Sequence, residues 1–181
     1  WGPGISGTFF DPAAAGPGTH SVSYTTPPNA LGCTNSASQS IVVYPLPPCA
    51  IDGPAAICPG TTANLCGPAG NFAYHWSTGD TTQCITTGSG TYTLTVTDLH
   101  TGCASQCSHT LVLHPLPVCA ITGPTQICVG QTATLCAPAG NLGYHWSTGD
   151  STQCITVNTT GSYGLTVTDR GTGCSSQCST F

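Results

Sequence analysis

The chain has no Glu, no Lys and no Met, and its Lys and Arg total one residue, Arg170. Charged residues make up 4% of 181, against about 25% in an ordinary soluble domain. Each absence excludes something. A single Arg cannot supply the basic footprint of a nucleic-acid binder, so no nucleic-acid partner is expected. Without Lys there is no phosphate-binding P-loop or kinase lysine, and Lys–Asn isopeptide cross-links cannot form. Long helices are not expected where Glu, Lys, Met and Arg are nearly absent and Gly, Pro and Thr abound. No apolar run approaches the ~20 residues of a membrane span. The opening Trp1-Gly2-Pro3-Gly4 carries no signal-peptide charge pattern, which reads as a mature or trimmed fragment.

What the chain does have is Gly (23), Pro (15) and above all Cys (13). That cysteine density persists as disulfides in an oxidising place, extracellular or at a cell surface. Zinc is the competing use, but its sites show tight C-x-x-C pairs. The tightest spacing here is the three-residue gap of Cys103–Cys107. No metal and no cofactor are expected.

Internal repetition organises the chain. Cys49–Thr86 and Cys119–Thr156 are identical at 28 of 38 positions, 70 residues apart. After one inserted residue, TYTLTVTD (Thr91–Asp98) matches SYGLTVTD (Ser162–Asp169), and both copies close with TGC-x-S-Q-C. The first 48 residues read as a diverged third copy: Gly32–Ala50 aligns without gaps on Gly102–Ala120, and Gly18–Tyr24 on Gly90–Val96. The expected domains are therefore 1–48, the C-terminal part of a truncated domain; 49–118; and 119–181, truncated in its last strand. The chain reads as a window from a longer repetitive protein, with Trp1 near the position of Trp76.

Each repeat reads as a small all-β sandwich. In Thr91–Thr97, Tyr92, Leu94 and Val96 share one face and threonines the other, which marks a half-buried strand. Phe72–Trp76 places Phe72, Tyr74 and Trp76 inward and His75 outward, and Ser108–His114 is a further strand. Trp76, Trp146, Tyr74 and Tyr144 are expected in the cores, and Trp1 likewise. Short runs at close spacing, punctuated by Gly and Pro, fit a sandwich. A unit of ~65 residues buries little surface on its own, and disulfides at about 2–4 kcal/mol each would stabilise it.

Six cysteines per repeat allow 15 pairings, and the strand reading favours one set. Cys66 and Cys84 suit neighbouring antiparallel strands. Cys58–Cys103 would tie the opening loop to the end of TYTLTVTD, and Cys49–Cys107 would join the first strand to the start of the last. The second copy would pair Cys136–Cys154, Cys128–Cys174 and Cys119–Cys178. Cys33 aligns with Cys103 and is left without a partner in this window. The joints Pro45–Pro48 and Pro115–Pro117 read as stiff, extended segments, so the domains are expected to form a rod.

YHWSTGD followed by GTYTLTVTD resembles the PKD/Ig-like superfamily, with its aromatic-x-Trp strand, Gly-Asp turn and G-x-Y-x-V-x-V strand. More closely, IC-x-G…YHWSTG…G-x-Y-x-x-TVTD…GC and GTFFDPAAAGPGTHSVSYT resemble the tandem Ig-like repeats of giant Bacteroidetes cell-surface adhesins and gliding-motility-associated proteins. The resemblance implies tandem Ig-like/PKD-like sandwiches that act mostly as spacers at a bacterial surface. The pairs Cys49/Cys107 and Cys66/Cys84 exceed the cysteine content expected of such repeats, which suggests covalent reinforcement.

No catalytic constellation stands out, so no enzyme is expected. Glycosidases need two carboxylates in a cleft, whereas Asp11, Asp52, Asp80, Asp98, Asp150 and Asp169 lie in turn-like contexts. His75 and His145 read as outward strand residues. Asp80-Thr81-Thr82 and Asp150-Ser151-Thr152 resemble the O-glycosylation signal of the same bacterial group, and Asn158-Thr159-Thr160 fits the N-glycosylation pattern. Thr81, Ser151 and Asn158 are thus candidate glycan sites on a surface with few charges to wet it. The expected function is a structural repeat region of a secreted or cell-surface protein, an extracellular filament or adhesin stalk. Its partner would be a homopolymer or neighbouring repeats, associating through strand edges. The alternative is a carbohydrate-binding or adhesive accessory module.

Overall fold

The computed structural model describes residues 2–180, so Trp1 lies outside the described residues. The protein is all-β, with 46% strand and 2% helix. Two compact units divide it: Trp1–Asp52, Cys66–Cys84 and Thr93–Ser108 form one, and Gly53–Leu65, Ile85–Tyr92 and His109–Phe181 form the other. Residues of the 49–118 repeat thus contribute to both.

The first repeat opens with the hairpin β1 (Ile5–Ser6) and β2 (Phe9–Phe10). A single helical turn follows, α1 (Pro12–Ala15). Asp11 caps it by accepting from the Ala13 and Ala14 amides, Pro12 supplies a fixed φ in the first turn, and Gly16 ends it at φ 75°. β3 (Gly18–Thr25) and β4 (Ser36–Val43) then pair antiparallel from Gly18↔Val43 to Thr25↔Ser36, as a two-stranded sheet. Between residues 2 and 46 no residue is fully buried. Phe9, Tyr24 and Leu31 are exposed.

The second repeat contains β5 (Ala56–Ile57), β6 (Ala63–Cys66), β7 (Phe72–Trp76), β8 (Cys84–Thr87), β9 (Gly90–Asp98) and β10 (Ala104–Leu113). Strands β5, β10, β9 and β7 make a four-stranded sheet in that order, and β6 with β8 makes a second. β7 runs antiparallel to β9, from Phe72↔Asp98 to Trp76↔Leu94. β5 pairs parallel to the end of β10, Ala56 with Val112 and Ile57 with Leu113. The His114 amide extends that ladder by donating to Ile57 O at 2.9 Å. Alternation decides what is buried: Trp76, Leu94 and Val96 are fully buried, while the threonines of β9 are not. At the other end of β10, Leu111 packs with Ile57, Ala63 and Tyr92.

The third repeat contains β11 (Ala133–Cys136), β12 (Leu142–Trp146), β13 (Cys154–Val157), β14 (Tyr163–Asp169) and β15 (Ser175–Thr180). β11 pairs antiparallel with β13, and β12, β14 and β15 form a three-stranded sheet. The core is Leu135, Ala137, Trp146, Ile155, Leu165 and Val167, with Cys119 and Cys178 packed against it. The proline joints are tied back to the last strands. Ser105 Oγ donates to Pro47 O at 2.7 Å, and Ser176 Oγ to Pro117 O at 2.6 Å.

Five disulfides close the structure: Cys49–Cys107, Cys66–Cys84, Cys119–Cys178, Cys136–Cys154 and Cys58–Cys174. The last corrects the expectation of Cys58–Cys103 and Cys128–Cys174. The reason lies in the parallel pairing of β5. That pairing holds Cys58 at the end of β10, whereas Cys103 sits just before its start. Ten residues of strand at about 3.3 Å each separate the two ends, far beyond the roughly 4.4–6.8 Å between Cα atoms that a disulfide spans. Cys58 instead lies 5.5 Å, Cα to Cα, from Cys174 of the next repeat. Cys33, Cys103 and Cys128 remain free thiols.

Candidate functional site

The side chains singled out by sequence fall into structural roles that their hydrogen bonds explain. Trp76 Nε1 donates to Thr82 O at 2.8 Å and Trp146 Nε1 to Thr152 O at 2.9 Å, so each indole is buried with its one donor satisfied. Tyr74 and Tyr144, partly buried, donate to Pro68 O and Pro138 O, both at 2.7 Å. A buried indole offers no platform for stacking a sugar.

The aspartates organise turns. The Trp76 amide donates to Asp80 O at 2.9 Å and Thr78 Oγ1 to Asp80 Oδ2 at 2.6 Å, around Gly79 at φ 92°. Only glycine takes that left-handed conformation cheaply. Trp146–Asp150 repeats the arrangement around Gly149. Asp98 Oδ1 accepts from the His100 and Thr101 amides, and Asp169 Oδ1 from the Gly171 and Thr172 amides, all at 2.8 Å. Donation by the Thr101 amide first, then by that of His100, holds the Asp98 carboxyl below its ordinary range; the Thr172 and Gly171 amides do the same for Asp169. No three metal-ligating side chains come together among the described residues. His75 and His145 are exposed on their strands, and Thr81, Ser151 and Asn158 are exposed beside turns.

Three features were not visible in sequence: the bond between consecutive repeats, the free thiols Cys103 and Cys128, and a cavity. The cavity, of about 400 Å3, opens on the third repeat between the 124–127 segment and the start of β14. Ile127, Ala133, Leu135, Val157, Tyr163 and Thr180 are among its walls. The signal that could have found the first feature is the shared Ile-Cys at 57–58 and 127–128. Cys58 follows β5, whose parallel partner is the end of β10, the strand that leads out of the repeat.

No family model matches the chain, and no curated protein matches it. Among solved structures, it is similar to the three N-terminal domains of the bacteriophage RB49 Highly Immunogenic Outer Capsid protein (Hoc). The TM-score is 0.47 and the sequence identity 23%, over 73% of this chain and 57% of that one. The chain thus spans little more than half the length of that structure. No helix among the described residues is long and apolar enough to cross a membrane. Five disulfides are the covalent signature of an extracellular or secreted setting.

Proposed function

We propose that the chain is the structural, non-enzymatic repeat region of a secreted or cell-surface protein. Its repeats are Ig-like/PKD-like sandwiches of the kind found in Bacteroidetes surface adhesins, and they serve as an extracellular filament or adhesin stalk. The observation that carries this reading is Cys58–Cys174, a covalent bond between one repeat and the next. Such a bond makes mechanical sense in a load-bearing array and none in a set of independent binding modules. Self-association would run through strand edges, which another chain can extend. Glycans at Thr81, Ser151 and Asn158 would wet a surface with few charges.

Electron microscopy of the native, unreduced protein tests the proposal. Regular filaments with a longitudinal repeat of a few domain lengths are expected. Isolated short rods would overturn the polymer, and binding to a glycan array would then favour an accessory module.

A further inference from the structure

The bridges at the joint between the second and third repeats close a ring. Two of them, Cys49–Cys107 and Cys119–Cys178, form its corners. One route between the corners is the chain itself, which runs 12 residues from Cys107 to Cys119 through β10 and the Pro115–Pro117 joint. The other runs nine residues from Cys49 to Cys58, crosses the bridge to Cys174 and continues four residues to Cys178. Both routes run in the same chain direction, and β5 accordingly pairs parallel with β10.

The two routes match in length. The first includes both corner bridges, 5.6 and 5.7 Å between Cα atoms, and at about 3.5 Å per extended residue it reaches about 53 Å. The second includes one bridge of 5.5 Å and reaches about 51 Å. They are also held side by side. The Val112 amide donates to Ala55 O and the His114 amide to Ile57 O, both at 2.9 Å. His109 Nε2 donates to Pro54 O at 2.9 Å. Ser176 Oγ, on the second route, donates to Pro117 O, on the first, at 2.6 Å. Most of both repeats lies outside the ring. Residues 59–106 hang between Cys58 and Cys107, and residues 120–173 between Cys119 and Cys174. These stretches carry the buried Trp76 and Trp146.

We infer that the ring is a double link that carries tension between the repeats. Force entering at Cys49 divides over two covalent strands of matched length and leaves at Cys178, and neither tryptophan core is loaded. The inference rests on the stalk reading for its use and names the part that bears the load. Were the strands unequal, the shorter would take the whole load until it broke. A mismatch of ~2 Å in ~50 Å lets both come taut together. Breaking one strand, by opening a bridge or cutting the chain, then leaves the joint closed at nearly the same length.

The test holds the full chain by its two ends in a force clamp, with free thiols blocked and dithiothreitol present. Dithiothreitol opens a bridge by thiol–disulfide exchange, leaving two protein thiols and its own cyclic disulfide. The first repeat, whose Cys33 is free, extends before any bridge opens. In wild type the first reduction is silent, whichever bridge it opens, so long steps come only after a lag. Cys58→Ser with Cys174→Ser removes the second route. Opening Cys49–Cys107 or Cys119–Cys178 then frees 58 or 59 residues, less the 18 that Cys66–Cys84 or Cys136–Cys154 keeps closed. Steps of about 140 Å should therefore appear from the start, with single-exponential timing. These lengths follow from covalent connectivity, so they hold whether or not the variant folds. A wild type whose steps begin without a lag, at the variant's rate, overturns the double link. A cut gives a second test. Val118 is exposed, and Val118→Arg puts a trypsin site in the first route. Trypsin's other site, Arg170, lies outside the ring. The cleaved, unreduced protein should remain one covalent species, and release of residues 1–118 would overturn the inference. Filaments in electron microscopy beside either failure would leave the structural reading standing without the link. A silent first reduction without filaments would leave the link and remove the polymer.

Discussion

Replacing Cys58 and Cys174 together by Ser removes the bond between consecutive repeats without adding a lone thiol to the free Cys33, Cys103 and Cys128. The two cysteines are 116 residues apart, and closing a loop of that length in an otherwise open unfolded chain corresponds to about 4.9 kcal/mol. The other bridges shorten the loop. From Cys58 the chain runs nine residues back to Cys49, crosses to Cys107, continues twelve to Cys119, crosses to Cys178 and returns four to Cys174. A loop of ~25 residues corresponds to about 3.5 kcal/mol. For a chain of this size each kcal/mol moves the midpoint by about 2–4 °C, so Tm should fall by roughly 7–14 °C in a calorimetric or circular-dichroism melt. The Cys128→Ser variant, which breaks no bridge, should melt with the wild type. A double variant that melts within about 2 °C of wild type would refute the reasoning, because the bond would then constrain nothing.

The packing of Leu111 makes a second prediction. Leu111→Ala should cost about 2–5 kcal/mol in guanidinium unfolding, and a loss under about 1 kcal/mol would contradict its burial among Ile57, Ala63 and Tyr92. Acid stability follows from Asp98 and Asp169, whose carboxyls are held low in the folded state by backbone donors. A depressed folded value means their contribution is fully present above the unfolded value of about 3.9 and is lost as pH falls through the lower, folded value. Asp98→Asn with Asp169→Asn should therefore be less stable than wild type at neutral pH and flatter below pH 4. Equal slopes in the acid range would remove this role from the two turns.

The all-β class was legible in the chain because alternation is a local signal. Phe72–Trp76 coincides with β7, and Thr91–Thr97 lies within β9. Ser108–His114 captured only the second half of β10, which starts at Ala104. The Ala-Ser-Gln-Cys segment that opens the strand has no apolar alternation, and its pairing comes from its neighbour. Cys66 and Cys84 could be placed opposite each other because both border strands of one repeat. Cys58 could not be placed that way. Its partner is fixed by the parallel pairing of a two-residue strand, Ala56–Ile57, with β10, and so short a strand has no hairpin turn or periodicity to announce it. The cavity was out of reach for a related reason. No motif or spacing singles out Ile127, Ala133 and Tyr163, and only the arrangement of the surrounding strands places them around one cavity.

The claim on which the account turns is that consecutive repeats are joined by a covalent bond. Proteolysis of the unreduced protein with thiols blocked, followed by mass spectrometry of the linked peptides, tests it directly. A species containing Cys58 and Cys174, with blocked Cys103 and Cys128, is the predicted result. Species linking Cys58 to Cys103 and Cys128 to Cys174 would mean that each repeat closes on itself, and would contradict the account.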